Sequence, residues 1–188
     1  MKWLGGFFLF CALTAAADEK VTICYNYGCL AQAEIVYNEQ QMTEIGSLLA
    51  GAKDAAQERA VLGAVVGRLL GWAGEQSPIK ADRGGNYADD GVNGRMDCID
   101  HSTTTTRLLR LIERRGALRY HRVVDRVLRR RFVIFEHYSA QIEEIAPAKA
   151  GAAPARYAVD SWFFDNGRPA VVMPLARWLD GESPDVDD

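Results

Sequence analysis

Gly116 divides this chain into two kinds of hydrophobic pattern, and that change limits the fold more than any other feature. Before it, apolar residues recur at helical spacing; after it, they alternate as in strands. A first helix fits Gln40 to Ala50, closed by Gly51. A second fits Ala55 to Ala73, with Val61, Val65, Leu69 and Trp72 on one stripe and Gly74 as its stop. A third starts at Cys98 and ends at Gly116. Beyond it, Leu118 to Val127, Phe132 to Ile142, Tyr157 to Phe164 and Ala170 to Met173 read as strands, with Ala146 to Ala155 as a connector. Asp165-Asn166-Gly167 suits a tight type I′ hairpin, and Pro169 implies an edge position for the last strand. Leu175 to Leu179 fits a final helical turn, and Val21 to Cys24 with Leu30 to Tyr37 fit short strands near the start. N-terminal helices, then a central helix carrying Cys98 packed on an antiparallel sheet, define an α+β fold.

The first residues read as an export signal. Lys2 is followed by the apolar run Trp3 to Leu13, then by Ala15, Ala16 and Ala17 before Asp18. That is the three-part pattern of a cleavable signal over 1–17, and the run is too short to span a bilayer. A single domain over 18–180 and an acidic, frayed tail over 181–188 complete the organisation. Cleavage removes only Lys2, leaving 21 basic against 25 acidic residues. This balance gives no global pull toward nucleic acid or an anionic membrane. A local run of Arg114, Arg115, Arg119, Arg122, Arg126, Arg129, Arg130 and Arg131 fits a solvated face or a docking patch for an acidic partner. Export to the periplasm or outside the cell implies an oxidising compartment. Cys24 and Cys29, close together around Asn26 and Gly28, are the natural disulfide pair, which leaves Cys98 as an odd, reactive thiol or an inert buried one.

The third helix places that thiol at its first turn, behind the N-cap Asp97 and with Asp100 completing a variant capping box. Free backbone N–H groups and the helix dipole favour a thiolate there, and the same amides suit an oxyanion. Asp97 and Asp100 oppose this, so a cation must sit nearby. Of three histidines, His101 lies one turn from Cys98, His121 sits among arginines, and His137 lies mid-strand. The midpoint of His137 and Asp160 falls inside the connector. They are therefore expected as direct cross-strand partners, a carboxylate orienting an imidazole. Gln76, Asn86 and Asn93 are candidate oxyanion or cleft residues, and Trp162 a candidate wall.

The order Cys98 in Met96-Asp97-Cys98-Ile99-Asp100-His101-Ser102, His137 in Glu136-His137-Tyr138 and Asp160 in Val159-Asp160-Ser161-Trp162 resembles the transglutaminase-like superfamily of cysteine peptidases and acyltransferases. The match covers about Asp97 to Met173. The resemblance implies a papain-like core, Cys98 as nucleophile, His137 as base then acid and Asp160 as its orienter. The resemblance does not name the substrate; a peptide or protein acyl group is the expected partner, and no cofactor is expected. The paired aspartates around Cys98 depart from the family's pattern. Asp89, Asn93, Gly94, Asp97 and Asp100 match a calcium loop only in part, since Gly91 stands where an oxygen ligand belongs and Asp100 replaces the final glutamate. A zinc site through Cys98 and His101 lacks ligands, so no metal is expected. The competing reading is a non-catalytic exported binding domain of the same fold, holding a partner by its arginine-rich surface or cleft.

Overall fold

The computed structural model describes residues 17–131, 135–145 and 151–184. The export signal up to residue 16, the start of the strand expected from Phe132, the first half of the connector and the tail end from 185 lie outside the described residues. The described chain is α+β, with four helices and two antiparallel sheets. None of those helices is long and apolar enough to cross a membrane.

Strands β1 (Glu19–Tyr25) and β2 (Ala31–Tyr37) form a hairpin in which Cys24 faces Gln32. Helix α1 (Glu39–Ala50) begins at a reciprocal capping box between Asn38 and Gln41. Helix α2 (Ala55–Gln76) begins where Asp54 accepts from the Gln57 amide. It does not stop at Gly74, which lies buried within it. The glycines of α2 serve close approach instead: a Cβ on Gly67 would meet Arg168 O at 2.5 Å and Pro169 N at 2.9 Å, and those on Gly63 and Gly74 would overlap Ala170 O and Asn166 Nδ2. Gly51 likewise follows α1 in a right-handed conformation, φ −67°, so it is not chosen for positive φ.

Helix α3 (Cys98–Arg114) runs through the middle, contacting β1 on one side and the larger sheet on the other. Its four successive threonines are poor helix formers, and tertiary bonds hold them. Thr103 Oγ1 accepts from Arg126, Thr104 Oγ1 from the Cys24 amide, Thr105 meets Ser161, and Thr106 donates to Ser102 O. Apolar Leu108, Leu109, Leu111 and Ile112 are fully buried in the core with Val65, Leu69, Ile142 and Val159.

The larger sheet has the order β3 (His121–Arg131), β4 (Phe135–Glu144), β5 (Arg156–Asp160), β6 (Val171–Pro174), antiparallel throughout. Strand β3 starts later than its pattern suggests because buried Glu58 takes the amides of Arg119 and Tyr120. Strand β5 ends at Asp160, well before the expected Phe164, because Asp160 Oδ1 accepts from the Trp162 amide and turns the chain out of the sheet. The Asp165–Arg168 turn closes by Arg168 N to Asp165 O at 3.0 Å. Gly167 is at φ +84°, but Asn166 is absent from the positive-φ residues, so the turn is not type I′. Strand β6 is the edge strand that Pro169 implied. Helix α4 (Leu175–Leu179) brings Trp178 into full burial.

Candidate active site

Cys98 is the first residue of α3, free and half-buried. Asp97 caps the helix and Asp100 reaches back to the Asp97 amide, the reciprocal box expected. The amides of Cys98 and Ile99 have no hydrogen-bond partner among the described residues. Free N–H groups at a helix start favour negative charge beside them.

The two flanking carboxylates have partners that the sequence did not reveal. The turn closed by the Cys24–Cys29 disulfide lies across them. Tyr27 N donates to Asp100 Oδ2 at 2.8 Å, Cys29 N to Asp100 Oδ1 at 2.6 Å, and Gly28 N to Asp97 Oδ2 at 2.9 Å. Aiming three successive amides this way puts Asn26, Tyr27, Gly28 and Cys29 all near φ +61° to +65°. For the three non-glycine residues this costs about 1–2 kcal/mol each. The disulfide and the charge-assisted bonds offset that strain. Burial and the Asp97 charge raise the Asp100 pKa to about 6 against the pull of these amides. Asp89, the first residue of the partial calcium pattern, accepts from Tyr27 Oη at 2.5 Å and pairs with Arg95 at 3.0 Å. Cys24, Cys29 and Asp100 lie within 4.8 Å of one another, but the two sulfurs are bonded to each other and offer no thiolate to a metal.

His137 lies on β4, buried, with Nε2 2.7 Å from Asp160 Oδ2. The two residues are not direct cross-strand partners. Ala140 faces Val159, and continuing that register sets Asp160 across from Ser139. The slip relative to the expected pairing is two residues, so His137 and Asp160 still share a sheet face and meet diagonally. Asp160 Oδ2 also accepts from Trp178 Nε1 at 2.8 Å. With Nε2 taken, the His137 ring offers Nδ1, which makes no full hydrogen bond and lies on the side of Cys98. Burial lowers the His137 pKa, but the Asp160 carboxylate and the Cys98 sulfur outweigh it and push it up to about 9. Trp162, Phe163 and Trp178 enclose the imidazole at centroid distances of 5.0, 5.8 and 5.6 Å.

Trp162 thus stands against the site, as its wall. Tyr87, which the sequence did not single out, stacks on it at 4.8 Å, and burial followed by the Cys98 charge raises its pKa. Gln76, Asn86 and Asn93 are elsewhere engaged. Gln76 mimics a strand partner, bonding both backbone groups of Val36. Asn86 donates to Arg83 O, and Asn93 accepts from Asn26. None of the three is hydrogen-bonded to Cys98. His101 is not available as a base: its nitrogens face Ser161 at 2.9 Å and Asp82 at 3.0 Å. His121 is tied to Glu58 at 2.8 Å. Most of the arginine run is internally engaged, with Glu19 and Glu39 on Arg115, Glu143 on Arg122 and Glu136 on Arg130. Comparisons of this chain with protein-family models, curated proteins and solved structures returned no match.

Proposed function

We propose that this protein is an exported thiol-dependent acyl-transfer enzyme, a peptidase or amidase or a transglutaminase-like enzyme, acting through a thioester on Cys98. The observation that carries the reading is His137 held between Asp160 and Cys98 in an aromatic enclosure, with a pKa of about 9. At neutral pH such an imidazole holds its proton beside the Cys98 sulfur, the arrangement that thiol catalysis needs. The transglutaminase-like resemblance of the Cys98, His137 and Asp160 segments agrees with this order of roles, on a papain-like core. The disulfide and the apolar start of the chain support export to the periplasm or beyond.

The Cys98 thiolate attacks the carbonyl carbon of a peptide or protein acyl group. The C=O pair moves to oxygen, which the free amides of Cys98 and Ile99 hold. His137 Nδ1–H gives its proton to the departing amine, the C–N bond breaks, and the thioester remains. Nδ1 then takes a proton from water, giving hydrolysis, or from an incoming amine, giving transfer. The second tetrahedral species collapses to release the thiolate, and His137 is again protonated. Asp160 keeps Nε2 protonated and the ring aimed throughout.

The test is alkylation of the mature protein by iodoacetamide at neutral pH, with intact-mass detection of an acyl-enzyme from activated acyl probes. Cys98 should react faster than a free thiol, Cys98→Ala should abolish labelling, and His137→Ala should slow it by about a hundredfold. A Cys98 no more reactive than a simple thiol, indifferent to His137→Ala, would sink the proposal. A binding role is favoured by a different observation, an open groove of about 490 Å³ lined by Lys20, Thr22, Gln32, Arg107, Arg110 and Arg114, in which Lys20 pairs with Glu34 and Arg110 with Glu113. Retention on an acidic-peptide column that is lost in Arg107→Glu/Arg114→Glu, together with an unreactive Cys98, would select that reading.

A further inference from the structure

We infer that His101 is a positioning residue for this site, acting through Ser161 on the Asp160 carboxylate and the Trp162 ring. The inference rests on the acyl-transfer reading for its catalytic meaning, and on buried geometry for its substance. His101 Nε2 lies 3.0 Å from Asp82 Oδ2, close enough for an ion-pair contact but without hydrogen-bond geometry. His101 Nδ1 and the Ser161 hydroxyl share a hydrogen bond at 2.9 Å, and Ser161 Oγ shares a second with Thr105 Oγ1 at 2.8 Å. Asp82 is anchored in turn by the Met96 amide at 2.9 Å. The bonds therefore join two turns of α3 to the peptide that follows β5, with Asp82 in ion-pair contact with the same ring.

Every member is sealed: Asp82 is 1% exposed, His101 3%, Ser161 6% and Thr105 0%. Ser161 resembles the nucleophile of a serine–histidine–aspartate set, but no substrate carbonyl reaches a hydroxyl so enclosed. Its effect lies in where it sits, between Asp160 and Trp162. The Trp162 amide donates to Asp160 Oδ1 at 3.1 Å, which turns Oδ2 toward His137, and the Trp162 ring stands against the same imidazole. Fixing the Ser161 side chain fixes that turn, and the turn sets both neighbours of His137. Because His101 is one helical turn from Cys98, the same bond ties the thiol's helix to the carboxylate's strand. The charged and titratable groups around His137 are Asp160 from β5, Cys98 from α3 and Arg129, its direct cross-strand partner on β3, with Tyr87 beyond Trp162.

The experiment reads the His137 ring by NMR titration and Cys98 by iodoacetamide alkylation, in the mature protein and four variants. An asparagine amide reaches the place of a histidine Nδ1, whereas a glutamine amide reaches that of Nε2. His101→Asn should therefore keep the His137 midpoint and the alkylation rate near wild type. His101→Gln and Ser161→Ala should lower the midpoint by about one pH unit and slow alkylation about tenfold or more. Ser161→Thr, which retains the hydroxyl, should restore both. Should His101→Gln fail to fold, Ser161→Ala against Ser161→Thr carries the same contrast with a smaller change. A folded Ser161→Ala with unchanged midpoint and rate overturns the inference, as does His101→Asn behaving like His101→Gln. A slow wild-type Cys98 sinks the acyl-transfer reading alone, because the His137 midpoint still reports on positioning.

Discussion

Replacing Asp160 by Asn removes one negative charge and keeps the shape of the side chain that holds His137. In the wild type the imidazole pKa rises from 6.5 to about 9, against a burial penalty that pulls it down. That difference corresponds to about 3 kcal/mol in favour of the imidazolium. The carboxylate acts twice, through the 2.7 Å hydrogen bond and through its charge. Without it, the imidazole loses both of these contributions, and the midpoint should fall well below 9. The sign for stability follows from linkage. A folded pKa above the unfolded value contributes stability that is full below pH 6.5 and lost as pH rises through about 9. Wild-type unfolding free energy should therefore drop by about 3 kcal/mol between pH 6 and pH 10 from this group. In Asp160→Asn that loss of stability with rising pH should shrink, because the folded pKa lies closer to 6.5. Urea unfolding at several pH values, with His137 followed by NMR, measures both. A wild-type His137 that titrates at or below 6.5, or an Asn variant with the same midpoint, would refute the reasoning.

Three further outcomes are expected. Glu58→Ala should cost about 3–5 kcal/mol, since it leaves buried His121 and two amides unpaired. Burial opposes but does not prevent a lowered Glu58 pKa, so its stabilisation should persist above pH 4.5 and vanish as pH falls through the lowered value; acid unfolding checks both. Gly67→Ala should lose about 2–4 kcal/mol in thermal unfolding because the new methyl meets backbone at 2.5 Å; an unchanged midpoint would contradict the close approach. Cys24→Ser/Cys29→Ser should lose about 2 kcal/mol from loop entropy, and hydrogen exchange should rise at Tyr27, Gly28 and Cys29, whose amides hold Asp97 and Asp100.

The sequence revealed the helix–sheet order and the capping box at Cys98 because these are local: periodicity, N-cap chemistry and glycine carry them. The shared face of His137 and Asp160 was legible too, since face depends only on odd or even spacing. The register was not, because the Asp160–Trp162 turn ends β5 early and nothing in the strand pattern marks it. The amide clasp on Asp97 and Asp100 was hidden for the same reason. It joins residues about 70 apart in sequence and depends on positive φ at Asn26, Tyr27 and Cys29, which the sequence flags only weakly. The side-chain amides proposed as oxyanion donors were chosen by type and loop placement. The fold spends Gln76 on the edge of β2 and Asn93 on Asn26 instead. Gly74 shows the opposite ambiguity: a glycine at a plausible helix end was needed for depth rather than for termination.

The bare face of α2 acts as a depth gauge for the second half of the molecule. With hydrogens alone at Gly63, Gly67 and Gly74, the backbone from Asn166 to Ala170 seats directly on the helix, and Gly63 O accepts from the Ala170 amide. Helix α2 supplies no group to the cleft, yet it determines how deeply the return segment sinks. That depth is passed along β6 to α4, and so to the indole nitrogen of Trp178 that steadies Asp160. One extra carbon on this distant helix would therefore be felt as a misaligned imidazole.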